Sequence, residues 1–288
     1  MTDNELNWSQ WLKKSRFSYM TEEQQQQTLN WLMSVRDAVL HNANIHPDDT
    51  VIDLGTGTGL LAFGAFDFIG ERGKIIFSDK FEDCLQSCKE FAISSGITKP
   101  HDFLLSDCCD IKLHKNAVNR AVMRSVLVHI LDKRQVFSEV YRILKPAGIF
   151  SAFEPVIRSN TRCWELINES QLSDYWDFKK AEDECMTSQD DPLTNFDENT
   201  LAEDLDAVGF SDGVIDKQVV ESKYKVEKDM VYNWLTTPPS PTAKTMKEKF
   251  LMYFEEPKVD NYIEELQQAL EGNFVAIKSN VLYIKAIK

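Results

Sequence analysis

Glycines at positions 55, 57 and 59, set between two apolar segments, constrain this chain more than any other feature. The stretch reads Val51-Ile52-Asp53-Leu54-Gly55-Thr56-Gly57-Thr58-Gly59-Leu60-Leu61. Its first part is short, apolar and β-branched, as a buried strand is, and its last part opens a helix. Glycines between them permit a tight turn and let the backbone approach a ligand closely. The helix start adds N–H groups with no partner inside the helix. Such a turn suits several nucleotide-type folds, but two details separate it from the dinucleotide fingerprint. That fingerprint needs a third glycine where this chain has Leu60. Asp53 also precedes Gly55 by two, and a carboxylate there repels a pyrophosphate but can organise an ammonium group.

Around and beyond the turn, strands and helices alternate. Thr50 to Leu54, Lys74 to Ser78, Asp102 to Leu105, Ala121 to Ser125 and Ile149 to Phe153 read as strands. Leu60 to Ile69, Glu82 to Ser94 and about Lys133 to Leu144 read as helices between them. This order predicts an α/β fold, a doubly wound and mostly parallel sheet with helices on both faces. Upstream, Thr21-Glu22-Glu23-Gln24 fits a capping box opening a helix. Arg158 to Asp191, rich in acid, Trp and Tyr, reads as a helical insertion. Leu201 to Val208 reads as a helix closed by Gly209, Val214 to Val226 as a strand, and Phe274 to Ile287 as an antiparallel strand pair or hairpin. The expected division is a helical cover over 1–46, a ligand-binding core over 47–155 and a helical insertion over 156–200. Residues 201–288 then complete the sheet, with a helical insertion at about 228–271.

Bulk properties narrow the partners. With 32 basic and 46 acidic residues the formal charge is −14, a surface that repels phosphate backbones and counts against nucleic acid. No apolar run approaches the length of a membrane span. The polar N-terminus lacks a leader's apolar region. Six cysteines without a framework pattern read as reduced thiols, so a cytoplasmic location is expected. Cys84 and Cys88, and the adjacent Cys108 and Cys109, do not match zinc-ligand spacing, and no metal site is expected.

The glycine turn resembles the first motif of class I S-adenosylmethionine-dependent methyltransferases, and the segments after it resemble that family's later motifs. The resemblance is strong over about residues 47 to 155, is to bacterial, small-molecule types, and implies a Rossmann-like fold. It implies that Asp53, Gly55, Thr56, Gly57, Thr58 and Gly59 surround the methionine part of the cofactor. Asp79, at the end of Ile75-Ile76-Phe77-Ser78-Asp79, resembles the second motif, whose carboxylate accepts from the ribose hydroxyls; Lys80 is counted with it. NAD enzymes share that carboxylate, so it points to a ribose-bearing cofactor. Asp107 and Cys108 resemble the adenine-contact segment, side chain to the amino group and backbone amide to a ring nitrogen. Arg124 and Ser125, in Val122-Met123-Arg124-Ser125-Val126-Leu127-Val128-His129-Ile130, resemble the fourth motif, beside the sulfonium. Arg124 suits a carboxylate of cofactor or substrate, or a structural ion pair with Asp53 or Asp79. Arg142 to Gly148 resembles the turn after that motif, with Ala147 where a glycine is usual.

His129 and Glu154 are the candidate catalytic bases, His129 because imidazole titrates near neutrality. Glu154 equally reads as a cap or an anchor for the insertion, and methyl transfer often needs only proximity and alignment. The implied activity is transfer of a methyl group from S-adenosylmethionine to a small organic acceptor through an O, N, C or S atom, leaving S-adenosylhomocysteine. Trp8, Trp11, Phe17, Tyr19, Trp164, Tyr175, Trp176, Phe178 and Trp234 are candidates for an aromatic acceptor pocket or for ordinary core. A protein or RNA methyltransferase and a noncatalytic cofactor-binding scaffold are the rival readings. A homodimer stays open.

Overall fold

The computed structural model describes residues 8–14 and 20–288. Two N-terminal helices, α1 (Trp8–Lys13) and α2 (Glu22–Asn42), precede the alternating core. The capping box at Thr21 forms: its hydroxyl accepts from Gln24 N at 3.2 Å and its own N–H reaches Gln24 Oε1 at 2.9 Å.

The core is one seven-stranded sheet. It contains β1 (Thr50–Leu54), β2 (Lys74–Asp79), β3 (His101–Leu105), β4 (Val118–Arg124), β5 (Leu144–Pro155), β6 (Ser211–Lys225) and β7 (Phe274–Ile287). The spatial order is β3-β2-β1-β4-β5-β7-β6, and β7 alone runs against its neighbours. The order reverses beside β1, between β1 and β4, which opens a crevice at the strands' C-terminal ends. Helices α3 (Leu60–Ala65), α4 (Glu82–Ser94) and α5 (Lys133–Ile143) link the parallel strands, and α2 joins α3 on one face. On the other face α5 and α7 (Glu198–Val208) pack over Ile52, Leu54, Ala121 and Met123, all buried.

Several expected elements take a different extent. The helix expected over 60–69 ends at Ala65, where the chain passes into turns that bring Gly70 N to Pro47 O at 2.7 Å. The insertion expected over 158–191 is mostly short 3-10 turns, with one α-helix, α6 (Tyr175–Met186). Residues 274–287 form one continuous strand rather than a hairpin, because β5 and β6 supply partners on both edges.

Val281 to Ile287 of β7 pairs with both β5 and β6, whereas Phe274 to Asn280 pairs with β6 alone. The β6–β7 ribbon therefore projects past the end of β5, at the edge where the crevice opens. Val275 of β7 and Val226, just past β6, enter a second core with α6, α8 (Met230–Thr236), α9 (Met246–Phe250) and α10 (Glu256–Leu270). Phe178 and Tyr262 stack at its centre, ring centroids 3.8 Å apart. The cover is thus a helical cluster carried on a sheet extension. Among the described residues, no helix is long and apolar enough to cross a membrane.

Candidate active site

The glycine turn leaves β1 and doubles back against the end of β2. Gly55 and Gly57 take left-handed φ values of 67° and 54°. A Cβ on Gly55 would lie 2.4 Å from Val126 Cγ2, and one on Gly57 would lie 2.9 Å from Leu12 Cδ1. Both positions therefore favour glycine for conformation, and Gly55 also for space, since Leu12 Cδ1 is the end of a flexible side chain.

Two carboxylates lock the turn. Asp53 Oδ2 accepts from Thr56 Oγ1 at 2.7 Å and from Ala62 N at 3.0 Å, tying β1 to the first turn of α3. Asp79 Oδ2 accepts from Gly57 N at 2.9 Å, while its Oδ1 takes Phe81 N at 3.0 Å. Burial pushes the Asp53 carboxyl up to about 6, against the pull of Thr56, Ala62 and Arg124. Burial also raises Asp79, opposed by the Gly57 and Phe81 amides.

A cavity of about 280 Å³ opens along these strand ends. Its wall brings together Asp53, Gly55, Thr56, Gly57, Asp79, Lys80, Asp107, Cys108, Arg124, Ser125 and His129. Thr58 and Gly59 complete the turn and stand outside that wall. Asp107 turns its own loop by accepting from Cys109 N at 2.8 Å. Among the described residues Arg124 forms no ion pair with Asp53 or Asp79; its guanidinium reaches Ser125 Oγ at 3.5 Å. Burial lowers its pKa while Asp53 and Glu154 draw it back up. A partly buried guanidinium with so little bonding suits a carboxylate brought in from outside.

The two candidate bases differ in placement. His129 lines the cavity, edge-on to Trp8 at 5.3 Å between ring centroids. Burial, with the Lys80 and Lys133 charges, lowers it to about 4, so it is neutral at pH 7. Glu154 lies behind the cavity, fully buried. Its Oε1 accepts from Val126 N at 2.9 Å and Leu127 N at 3.0 Å, and its Oε2 from Val128 N at 3.1 Å. Bonds of this charge-assisted kind contribute about 1.5–3 kcal/mol each. The Glu154 carboxylate is thus occupied by backbone rather than facing the cavity.

Of the aromatic candidates, Trp8 and Trp11 line the cavity, Trp8 stacked on Phe81 at 5.0 Å. Phe17 and Tyr19 lie outside the described residues. Trp164, Tyr175, Trp176, Phe178 and Trp234 are absent from the cavity wall: Phe178 sits in the cover's core and Trp176 is exposed. The segments after β5 instead contribute Ile157, Leu193, Pro239 and Thr242, the first two packed with the sheet's own core. No periodicity flags these four, because their approach depends on how the cover sits over the sheet. Burial raises the thiols of Cys84, Cys88 and Cys108, which keeps them protonated and inert. Among the described residues no group of three or more His, Cys, Asp or Glu could hold a metal ion.

A seven-stranded sheet with one reversed strand, and a glycine turn locked by carboxylates at its switch point, define a class I S-adenosylmethionine-dependent methyltransferase fold. A family profile described as a methyltransferase domain matches residues 45–271, and the chain belongs to that family. It is 24% identical over 133 residues to a sterol 24-C-methyltransferase of Pneumocystis carinii, covering 46% of this chain and 32% of that protein. It is 27% identical over 106 residues to the ubiquinone/menaquinone biosynthesis C-methyltransferase UbiE of Francisella tularensis, covering 37% and 42%. The chain thus spans less than half the length of these relatives. Among solved structures it resembles the Haemonchus contortus phosphoethanolamine N-methyltransferase 2 bound to phosphomonomethylethanolamine and S-adenosylhomocysteine. The TM-score is 0.52 at 18% identity, over 88% of this chain and 52% of that one, a likeness of fold.

Proposed function

We propose that the chain transfers the methyl group of S-adenosylmethionine to a small, uncharged organic acceptor. The observation that carries this reading is the single cavity wall holding the glycine turn, Asp79, Asp107 and Arg124. The turn and Asp53 fit the methionine part, its ammonium beside the Asp53 carboxylate and its carboxylate beside Arg124. Asp79 fits the ribose hydroxyls, and Asp107 with the Cys108 amide fits the adenine. The left-handed backbone at Gly55 and Gly57 sets the turn's main chain in the cavity wall, which suits a close-fitting ligand.

When bound, the cofactor supplies an electrophilic methyl on a sulfonium. The protein's own work is to orient the acceptor and keep water out. From the segments after β5 the wall takes Ile157, Leu193 and Pro239, all apolar, with the Thr242 hydroxyl. The acidic residues on the wall are Asp53, Asp79 and Asp107, all of which this reading gives to the cofactor. A cationic amine acceptor would meet no counter-charge there, whereas an uncharged apolar molecule with a hydroxyl or activated carbon would be matched. Neutral His129 serves as a hydrogen-bonding partner for that acceptor. It is too weak a base to hold a proton at neutral pH.

The test is a calorimetric titration with S-adenosylhomocysteine, then transfer of labelled methyl to a panel of phenols, enols, amines, RNA and protein. Saturable binding and transfer to an uncharged small acceptor are expected. Absence of binding would overturn the cofactor assignment. Labelling confined to amines or macromolecules would overturn the acceptor assignment alone.

A further inference from the structure

The loop after β4 brings Ser125, Val126 and His129 to the cavity. It leaves the strand through Ser125, a non-glycine residue at φ 54°, a strained conformation that needs support from its surroundings. The support comes from the end of β5. Ser125 N donates to Phe153 O at 2.8 Å, and the next residue of β5, Glu154, gathers the Val126, Leu127 and Val128 amides. Val126 in turn abuts the glycine turn, its Cγ2 2.4 Å from where a Gly55 Cβ would stand. A continuous line of contact therefore runs from the Glu154 carboxylate through three amides and one valine to the turn.

We propose that Glu154 is a positioning residue whose carboxylate sets the spacing between the loop after β4 and the glycine turn, and through it the affinity of the cavity for the cofactor. This rests on the S-adenosylmethionine reading of the cavity and deepens it. Glu154 takes no proton from substrate, because it lies behind the wall with both oxygens engaged. The charged groups bearing on it are Lys133 of α5 and Arg124 of β4, while β7 sets Leu282 opposite it. Burial nevertheless pushes its carboxyl up to about 7. Protonating one oxygen turns an acceptor toward an amide N–H into a competing O–H. The loop is therefore held most firmly above that value and released as the pH falls through it.

The consequences for binding and for stability have opposite signs. Cofactor affinity should rise with pH through about 7. Folding stability should fall over the same range, because a carboxyl raised by burial favours the protonated folded state. A purely structural glutamate would move the melting temperature alone.

The experiment titrates S-adenosylhomocysteine into wild type, Glu154→Gln and Glu154→Asp from about pH 5.5 to about pH 8.5, with melting temperatures on the same samples. At the upper end Glu154→Gln should bind about tenfold more weakly, and its profile should lack the wild-type rise near neutrality. Asp53 titrates in both proteins, so the difference between the profiles isolates Glu154. Glu154→Asp, which keeps the charge one methylene short, should recover part of the loss. Equal affinity of wild type and Glu154→Gln at high pH overturns the proposal. So does a wild-type affinity flat between about pH 6 and about pH 8, the deciding measurement if Glu154→Gln does not fold. No binding by wild type at any pH would instead remove the cofactor reading, and this proposal with it.

Discussion

The glycine-turn edge of the sheet and the helical cover are built on different physics. At the edge, position is set by polar contacts of short reach: Asp53 to Ala62, Asp79 to Gly57, Glu154 to three successive amides. In the cover, position is set by apolar packing of residues far apart in sequence, such as Phe178 on Tyr262 and Leu172, Val226 and Val275 around them. Carboxylate-to-amide bonds are directional and fail when one atom is displaced. Hydrophobic burial is non-directional and tolerates shape-conserving change. On the proposed reading, the cofactor would be held by the polar frame, while the cover's own core could vary without disturbing that frame.

The largest effect should come from Gly57→Arg. Its side chain would be driven against Leu12 from a left-handed φ, and S-adenosylhomocysteine binding should fall below calorimetric detection while the fold persists. Retained affinity would remove the turn as the cofactor frame. Phe178→Ala, in the cover, should cost about 3–5 kcal/mol of stability in urea denaturation and leave cofactor affinity of the folded protein unchanged. A parallel loss of affinity would show that the two regions are coupled.

A pH titration separates the two regions further. Glu154 and Glu182 are raised to about 7 and Asp53 to about 6, in each case chiefly by burial. Their contribution to stability is complete below their unfolded values and is lost as pH rises through 6 and 7. His129, lowered to about 4, runs the other way, its contribution being lost as pH falls. Three carboxyls outweigh one imidazole, so the melting temperature should decline from about pH 5 to about pH 7. Glu182 belongs to the cover, where it accepts from Cys163 N at 2.9 Å. Glu182→Gln should flatten that decline and leave cofactor affinity untouched at every pH. The smallest effect should be that of His129→Ala, a loss in turnover of less than about tenfold with binding of S-adenosylhomocysteine preserved. A loss near a thousandfold would restore His129 as a general base.

Much of the cavity wall at the glycine turn was legible because its parts are local. A glycine turn, a carboxylate two residues before it and acidic residues at the next two strand ends are patterns within short spans of chain. The parallel sheet turns them into neighbours wherever strand and helix alternate. Glu154 was visible as a residue but not as a role. Its partners are the backbone amides of 126–128, reached only because β5 pairs with β4 and places residue 154 beyond Arg124. The aromatic residues were misleading for the same reason in reverse. Composition alone cannot say that Phe178 turns into a core of its own, while Leu193 and Pro239 reach the cavity.

By resemblance the sequence motifs named the cofactor class; by itself the amino-acid sequence determined the alternating core and the turn whose left-handed backbone calls for glycine. These follow from periodicity, backbone sterics and charge over short spans. Tertiary structure alone decided that β7 is one strand long enough to carry a second core beyond the sheet, which later residues face the cavity, and that both Glu154 oxygens accept from backbone amides. Each of those depends on groups more than twenty residues apart meeting in space, and no local propensity encodes such a meeting.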